Sequence, residues 1–528
     1  MVVRGDIKTG VYFDSVTLMM VGRDITAASG VVDAAVVMGT RENQAILKSA
    51  GLWLRQFDAA SDTDLLLAVK ATSAEAAAGA LRAAGEHLKT ARDRTEAAEE
   101  WRPLSLEGAL QILPGANVAL ISVAGRYAGE QAMQALKAGL HVMLFSDNVP
   151  LAQEIKLKKL ARSKGLLLMG PDCGTAIVNG VPMAFANAVN RGDIGIVAAA
   201  GTGLQEVSSL ISNQGAGISQ AIGTGGRDVK KEVGGIMFLE GLKALIHDPA
   251  TRVIVLISKP PHESVLRKIG SVLKGVRKPV IAVFLGADEK TVRRCGVTPA
   301  ATLEEAALMA CGAEADEGVG CGPGGPPHFG RSQKYVRGLF SGGTFCTEAQ
   351  VIFRNLGIPH VHSNVPLPPF AGLRNVWKSQ QHTLIDLGED VFTVGRPHPM
   401  IDYSLRNRRI LEEAQDPATA LILLDVVLGY GANMDPAGEL APVIRKARAK
   451  RPLIFACSVT GTPRDPQNRT KVVEGLESAG ARVFPSNAAA SKFAAQVARS
   501  LEARGAGPRP APIKAGQVGD LPHVTEES

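Results

Sequence analysis

Asp248-Pro249-Ala250-Thr251 and the apolar run after it, Arg252-Val253-Ile254-Val255-Leu256-Ile257, return later as Asp416-Pro417-Ala418-Thr419 and Ala420-Leu421-Ile422-Leu423-Leu424. The correspondence extends outward on both sides. Gly201-Thr202 and Gly343-Thr344 each close a short apolar run and carry a glutamate four residues on, Glu206 and Glu348. Downstream, Lys278-Pro279-Val280-Ile281 answers Arg451-Pro452-Leu453-Ile454. Two copies of one unit therefore fill roughly residues 190–310 and 333–503. Each copy leads apolar strands through glycine turns into helices, and the free amides of such turns attract anions. A duplicated anion-binding unit predicts one site built between two halves.

Bulk properties narrow the function. A chain of 528 residues with 45% hydrophobic content can form three or four domains. The net charge is +7, but Lys and Arg are spread along the chain and aromatics are only 4%. That argues against nucleic-acid binding, which wants a basic face and stacking platforms. It suits a small anionic substrate equally well. The cysteines at 173, 295, 311, 321, 346 and 457 form no C-x-x-C pair, so neither a disulfide framework nor a metal site is expected. Met1 to Gly10 lacks a signal-peptide core and no uncharged apolar stretch reaches 18 residues, so the expectation is a cytoplasmic chain with no membrane span.

The pattern predicts an α/β fold. Residues 1–100 read as a small α+β domain of ACT-like or ferredoxin-like type, with Val16 to Met20, Asp33 to Met38 and Asp64 to Val69 as strands and Gln44 to Ala50 and Ser73 to Leu88 as helices. A charged connector runs over 90–103. Residues 101–188 read as a Rossmann-like domain, with strands from Asn117, His141 and Leu166 and helices over Gly129 to Ala138 and Leu151 to Lys164. The repeats occupy 189–311 and 333–503. Between them, residues 312–332 are rich in Gly, Pro and acid and read as an exposed linker; 504–528 read as a disordered tail.

Three glycine turns at strand ends are candidate anion sites. They are Gly201-Thr202-Gly203, where Thr202 and Gln205 have capping-box spacing; Phe340-Ser341-Gly342-Gly343-Thr344; and Asp425 to Asn433, with Gly429-Tyr430-Gly431. Gly225-Gly226-Arg227, Gly395-Arg396-Pro397-His398 and Ser258-Lys259 place cations beside such turns. Cys173 and Cys346 also lie in glycine turns, but no base is near either in sequence, so both read as packed thiols. No G-x-x-x-x-G-K-[ST], H-E-x-x-H or G-x-S-x-G pattern occurs.

Gly170-Pro171-Asp172-Cys173-Gly174, the Gly195 to Glu206 stretch and Gly223 to Asp228 resemble the succinyl-CoA synthetase α-subunit. The second unit, with Asp425 to Asn433, resembles the C-terminal domain of that enzyme's β-subunit. The order of parts resembles the FdrA family over nearly the whole chain. The resemblance implies a Rossmann-like domain followed by two flavodoxin-like, synthetase-type domains. It also shows departures. The stretch matching the phosphohistidine loop, Phe284 to Lys290, holds no histidine; a lysine, Lys259, stands near where the attendant glutamate would be. The N-terminal segment replaces the CoA-holding glycine loop, and nothing resembles an ATP-grasp domain. What the family implies is then an oxamate carbamoyltransferase subunit interconverting oxalurate plus phosphate with oxamate plus carbamoyl phosphate. Phosphate would lie on Gly201-Thr202-Gly203 and Gly429-Tyr430-Gly431 with Asn433. Arg227 or Arg396 would hold the oxamate carboxylate, and Lys259 or His398 would serve the leaving nitrogen. Asp172, Cys173, Gly225 and Gly226 would line the substrate. No cofactor beyond phosphate or carbamoyl phosphate is implied, and the expected partners are companion carbamoyltransferase subunits or a second copy. An acyl-CoA ligase-like enzyme and a regulatory scaffold are the alternatives.

Overall fold

A computed structural model describes residues 1–11, 13, 15–26, 28–97, 103, 105–312, 329–330, 332–393, 397–449 and 451–505. Arg396, most of the 312–332 linker, part of the 90–103 connector and the tail beyond 505 lie outside the described residues.

The N-terminal domain is a three-stranded antiparallel sheet in the order Val2–Lys8, Leu65–Ala71, Val31–Met38. Its central strand is apolar on both faces, and each face carries its own small core. The segment expected as a strand at Val16 to Met20 is instead part of the Ser15–Thr26 helix. Leu18, Val21 and Ile25 are buried at the i, i+3, i+7 spacing of a helix stripe, a pattern that a five-residue apolar window hides.

The Rossmann-like segment has three parallel strands, Val118–Ile121, His141–Leu144 and Leu168–Met169, with helices Gly125–Lys137 and Leu151–Ser163. The hairpin Thr175–Val178/Val181–Ala184 does not join it, but extends the next sheet. One buried lysine ties the two sheets together. Lys158 Nζ lies 2.8 Å from Glu154 and 2.7 Å from Asp228 and donates to Thr224 O at 3.0 Å. An unpaired buried ammonium would be costly, so the helix has one place to dock.

Each repeat forms a seven-stranded sheet. The first runs Thr298–Pro299, Val280–Phe284, Val253–Ser258, Arg191–Ala198, Ile218–Gly223 and then the hairpin. The second is parallel throughout: Arg482–Phe484, Ile454–Thr460, Thr419–Val427, Tyr335–Phe340, His382–Asp386, Val361–Ser363, Ala371–Gly372. The repeated sequence has a mechanical explanation. In the first copy, Lys278 Nζ caps the end of the Ile236–His247 helix by donating to Leu245 O at 2.9 Å and Asp248 O at 2.7 Å. In the second, Arg451 donates to Ala414 O, Asp416 O and Thr419 O around the end of the Ser404–Gln415 helix. Asp248 and Asp416 fold back on the backbone of Ala250 and Ala418. Asp-Pro-Ala-Thr with a cation-Pro dipeptide is thus one helix-stop device used twice.

Between the two sheets lies a layer of four helices, Gly201–Asn213, Leu303–Ala310, Gly343–Asn355 and Asn487–Gly505, which share one hydrophobic core. The repeated glutamates meet in this layer. Glu206 Oε1 accepts from Asn487 N at 2.9 Å and Oε2 from the Thr460 hydroxyl. Glu348 Oε2 accepts from Asn487 Nδ2 at 2.7 Å and Oε1 from Leu303 N at 2.7 Å. Each glutamate therefore binds the opposite half, and Asn487 touches both. Burial pushes both carboxyls up, Glu206 to about 6 and Glu348 to about 7, against the hydrogen bonds that hold them down.

Two outcomes follow for thermal or denaturant unfolding. Glu348→Gln sets an amide N–H against an existing donor and is expected to cost about 1–3 kcal/mol. Glu206→Gln can donate to Thr460 and is expected to be nearly neutral. For pH the sign is that of raised carboxyls: their stabilising share is full below the unfolded value of 4.5 and is lost as pH climbs through about 6 to 7. Glu206→Gln should flatten that slope; an unchanged slope would refute the assignment.

Candidate functional site

The Gly201–Asn213 and Gly343–Asn355 helices begin at equivalent points of the two repeats, and their N-termini touch. A side chain added at Gly342 would lie 2.9 Å from Thr202 Cγ2, and one at Gly203 would lie 3.1 Å from Thr344 Cγ2. Glycine at both places lets the helix ends approach this closely. Neither helix has a side-chain cap, and neither has an acid in its first turn. Other helices here are capped, by Asp288, Thr302, Asp435 and Asn468 among others. The first bonds back to the N-caps come from Leu204 to Ala200 O and from Phe345 to Gly342 O. The amides of Gly201, Thr202, Gly203, Gly343 and Thr344 are therefore left to meet an anion, with both dipoles assisting. The capping box expected of Thr202 and Gln205 does not form, because the N-cap is Ala200; Gln205 instead reaches Asn187 Oδ1 at 3.3 Å.

The second helix end is aimed by a buried ion pair. Asp425 accepts from Ser341 N at 2.7 Å and Gly342 N at 2.9 Å, and from the Ser341 hydroxyl at 2.7 Å. Arg406, with no exposed side-chain surface, donates to Asp425 O at 2.6 Å. The strand-to-helix turn can thus hold one geometry.

The Gly429-Tyr430-Gly431 turn is built differently. It is not a helix N-terminus: the next helix starts at Pro436 behind an Asp435 cap. Gly429 N is bound by Gln467 Oε1 at 3.0 Å and Tyr430 N by Ala186 O at 3.0 Å, so these amides are committed. Asn433 is likewise engaged, with Ile401 O at 3.1 Å and Glu439 at 2.8 Å. Gly429, at φ +113°, lies where any side chain would strike Ala186 O. The turn borders the first helix, since Leu428 O accepts from both Asn187 and Gln205, and it leaves the Tyr430 side chain exposed.

Opposite the helix ends stand Lys259, Asp386 and His398. Lys259 ends the Val253–Ser258 strand of the first half, close enough to Asp386 that its charge lowers that carboxyl. Asp386 ends a strand of the second half and faces Gly343 so closely that a side chain there would collide with its carboxylate. Burial outweighs Lys259 and the Gly388 amide and lifts Asp386 to about 7, with Glu389 and Asp425 adding to the rise. His398 Nε2 and Asp386 Oδ1 converge on one point above Gly388, 2.8 and 3.1 Å from it. Met400 N donates to His398 Nδ1 at 3.2 Å, which puts the ring proton on Nε2. Burial and Arg406 hold this imidazole neutral, with a pKa near 4, so it is a donor and not a cation.

The remaining candidates lie apart from this cluster. Arg227 pairs with Glu154 at 2.8 Å and donates to Val149 O at 2.8 Å, at the border with the Rossmann-like segment. Gly225, at φ +80°, is a close-approach glycine against Pro171 O, and Gly226 is exposed beside it. Asp172 reaches solvent, and its carboxyl is raised by partial desolvation and Asp147 while Arg227 opposes. Cys173 packs on Gly223, and burial pushes its thiol up to about 12; Cys346 is also buried and raised. Neither thiol is activated. Asp386 escaped the sequence reading, whereas the Gly342 to Thr344 turn was among its anion candidates but was passed over when the resemblance paired Gly201 with Gly429. The paired Gly-Thr…Glu signal was available for the second.

No group of three or more His, Cys, Asp or Glu among the described residues could hold a metal ion, and no described helix is long and apolar enough to cross a membrane. The turn opening the Gly125–Lys137 helix is approached by the N-terminal domain, where Asp62 pairs with Arg126 at 2.7 Å.

Comparison with known proteins agrees with this architecture. Residues 339–497 match the CoA-ligase family, and residues 1–103 match the AllF heavy metal-associated domain. All six cysteines of the chain lie beyond the residues matched by that domain. The succinate–CoA ligase [ADP-forming] α-subunit of Staphylococcus epidermidis is 25% identical over 188 residues, 34% of this chain and 60% of that subunit. The α-subunit 1 of Archaeoglobus fulgidus is 26% identical over 185 residues, 34% of this chain and 62% of its own. The Escherichia coli (strain K12) "Uncharacterized protein YahF" is 40% identical over 489 residues, 90% of this chain and 94% of that protein. The chain has a succinyl-CoA ligase-like α/β fold behind a small N-terminal domain, and it belongs to the family of YahF.

Proposed function

We propose that this protein is a phosphate-dependent acyl-transfer enzyme of the acid–CoA ligase type, working without an enzyme-bound phosphohistidine. The observation that carries the reading is the contact of two uncapped helix N-termini, one from each half, with their first-turn amides free. Phosphate would bind there. One of its oxygens would attack a bound acyl carbon; the C–O bond forms, the bond to sulfur or nitrogen breaks, and the phosphate proton passes to the leaving atom. The fixed amides and the neutral Nε2–H of His398 would stabilise charge on the acyl oxygen. The turn after Val280–Phe284 carries no histidine and leads straight into the Glu289–Arg293 helix, which fits direct reaction of phosphate.

Two acyl donors fit. A CoA thioester is the donor suggested by the names of the ligase relatives. A carbamoyl donor, oxalurate, is the second reading, suggested by the resemblance to the FdrA family, which would also bring companion subunits. The histidine-free turn suits either donor, and at the Rossmann-type turn Asp62 and Arg126 pair charge for charge.

Calorimetric titration with inorganic phosphate should show binding that Gly201→Glu weakens roughly 100-fold or more, from a like charge placed about 4 Å from the anion. Gly201 is exposed and a side chain there would meet only Thr175 Oγ1 at an ordinary 3.7 Å, so the fold should survive. Equal phosphate affinity in both proteins would overturn the site. Hydroxylamine trapping of the acyl phosphate formed from phosphate with either succinyl-CoA or oxalurate, with co-purified partners present, separates the two donors.

A further inference from the structure

We infer that Asp386 is the proton-transfer group of this site, taking the proton of the attacking phosphate and returning it to the leaving atom. This rests on the reading of the helix pair as a phosphate cradle. The argument begins with placement. Asp386 is 3% exposed at the end of the His382–Asp386 strand, and its carboxylate faces Gly343, the first residue of the second cradle helix. Glycine at 343 is required for that approach. A phosphate on the amides of Gly343 and Thr344 would therefore lie against this carboxylate.

The two oxygens of Asp386 are used differently. Oδ1 accepts from Gly388 N at 2.9 Å, which fixes the rotamer. Oδ2 accepts no hydrogen bond among the described residues and is the atom that meets Gly343. That leaves one carboxylate oxygen open at the start of the second helix. Beside an anion it has a use, because the protonated form donates to a phosphate oxygen and the ionised form accepts the phosphate O–H. The groups facing it balance these states. Lys259 from the first half favours ionisation, whereas Glu389 on the following turn and Asp425 on the neighbouring strand oppose it. Burial adds to the opposition, and a pKa of about 7 follows. His398 is neutral, and Arg406 is committed to Asp425. A carboxyl poised near neutrality suits a group that must both accept and give a proton.

The step balances. With HPO₄²⁻ as nucleophile, the O–H proton moves to Asp386 as the O–C bond forms. Asp386 then donates it to the departing nitrogen or sulfur as the C–N or C–S bond breaks, and the carboxylate is regenerated. No oxidant, metal or nucleotide is consumed.

The test pairs Asp386→Asn with wild-type protein. Asparagine keeps the Gly388 bond and the volume but cannot transfer the proton. Phosphate affinity should stay within a few-fold, while trapped acyl phosphate from the better donor falls by about 10²- to 10⁴-fold. The pH–rate limb near 7 should vanish. In infrared difference spectra, a protonated-carboxyl band titrating near 7 should be present in wild type and absent in the variant. Lys259→Met should shift that midpoint upward. Wild-type protein that fails to bind phosphate would overturn the cradle and this role together. Phosphate binding by both proteins, with turnover and the pH limb retained in Asp386→Asn, would overturn the Asp386 assignment alone.

Discussion

The contact between two helix N-termini governs this molecule. Like poles of two macrodipoles are brought together where Thr202 meets Gly342 and Thr344 meets Gly203. The arrangement is unfavourable by itself, because unpaired amides and partial positive charges converge. It persists because the layer behind it is over-determined. Within two turns of each helix start, Glu206 and Glu348 are held by donors from the opposite half, and Asn487 binds both. The spacing of the helix ends is thus set by a buried polar network, with a shared apolar core around it.

That network explains why the same residues recur in both repeats. Gly-Thr with a later glutamate is a helix start plus its anchor, and each anchor needs the other copy to be satisfied. The two halves cannot separate without stripping donors from two buried carboxylates, which makes the tandem fusion structurally binding. Further ties cross the same boundary. Asp465 accepts from Asn187 Nδ2 at 2.9 Å and Ala188 N at 2.7 Å, and Asn213 donates to Gly461 O at 2.9 Å.

The sequence revealed the duplication, the α/β alternation and the first helix end, because each is written in local patterns: an apolar run, a glycine turn, an amphipathic stretch. It misdirected the second helix end. Gly429-Tyr430-Gly431 has the look of a strand-to-helix turn, but its glycines serve contacts with Ala186 and Phe185, residues some 240 positions away in the chain. Glycine marks close approach, and sequence alone does not say whether a ligand or another backbone approaches. The Ser15–Thr26 helix was read as a strand because a short apolar run fits either period. Asp386 stayed hidden for a related reason: Leu384-Ile385-Asp386 is an ordinary strand end until the fold sets it against Gly343.

Symmetry accounts for the paired helix ends, and its breaking accounts for the groups that face them. In the first sheet the Arg191–Ala198 strand is flanked by Val253–Ser258 and Ile218–Gly223. In the second, Tyr335–Phe340 is flanked by Thr419–Val427 and by His382–Asp386, which displaces Val361–Ser363 outward by one position. His382–Asp386 takes the place that Ile218–Gly223 holds in the first sheet, and it ends in Asp386 where the first-half strand ends in Gly223. The facing group comes from the first half, where Lys259 follows the Val253–Ser258 strand; its counterpart strand in the second half carries Asp425, which is spent on aiming a helix. A duplicated fold would otherwise present two equivalent walls to a bound anion. Lys259 from the first half and Asp386 from the second therefore face the helix ends with different chemistry, an asymmetry that the proposed acyl transfer would use.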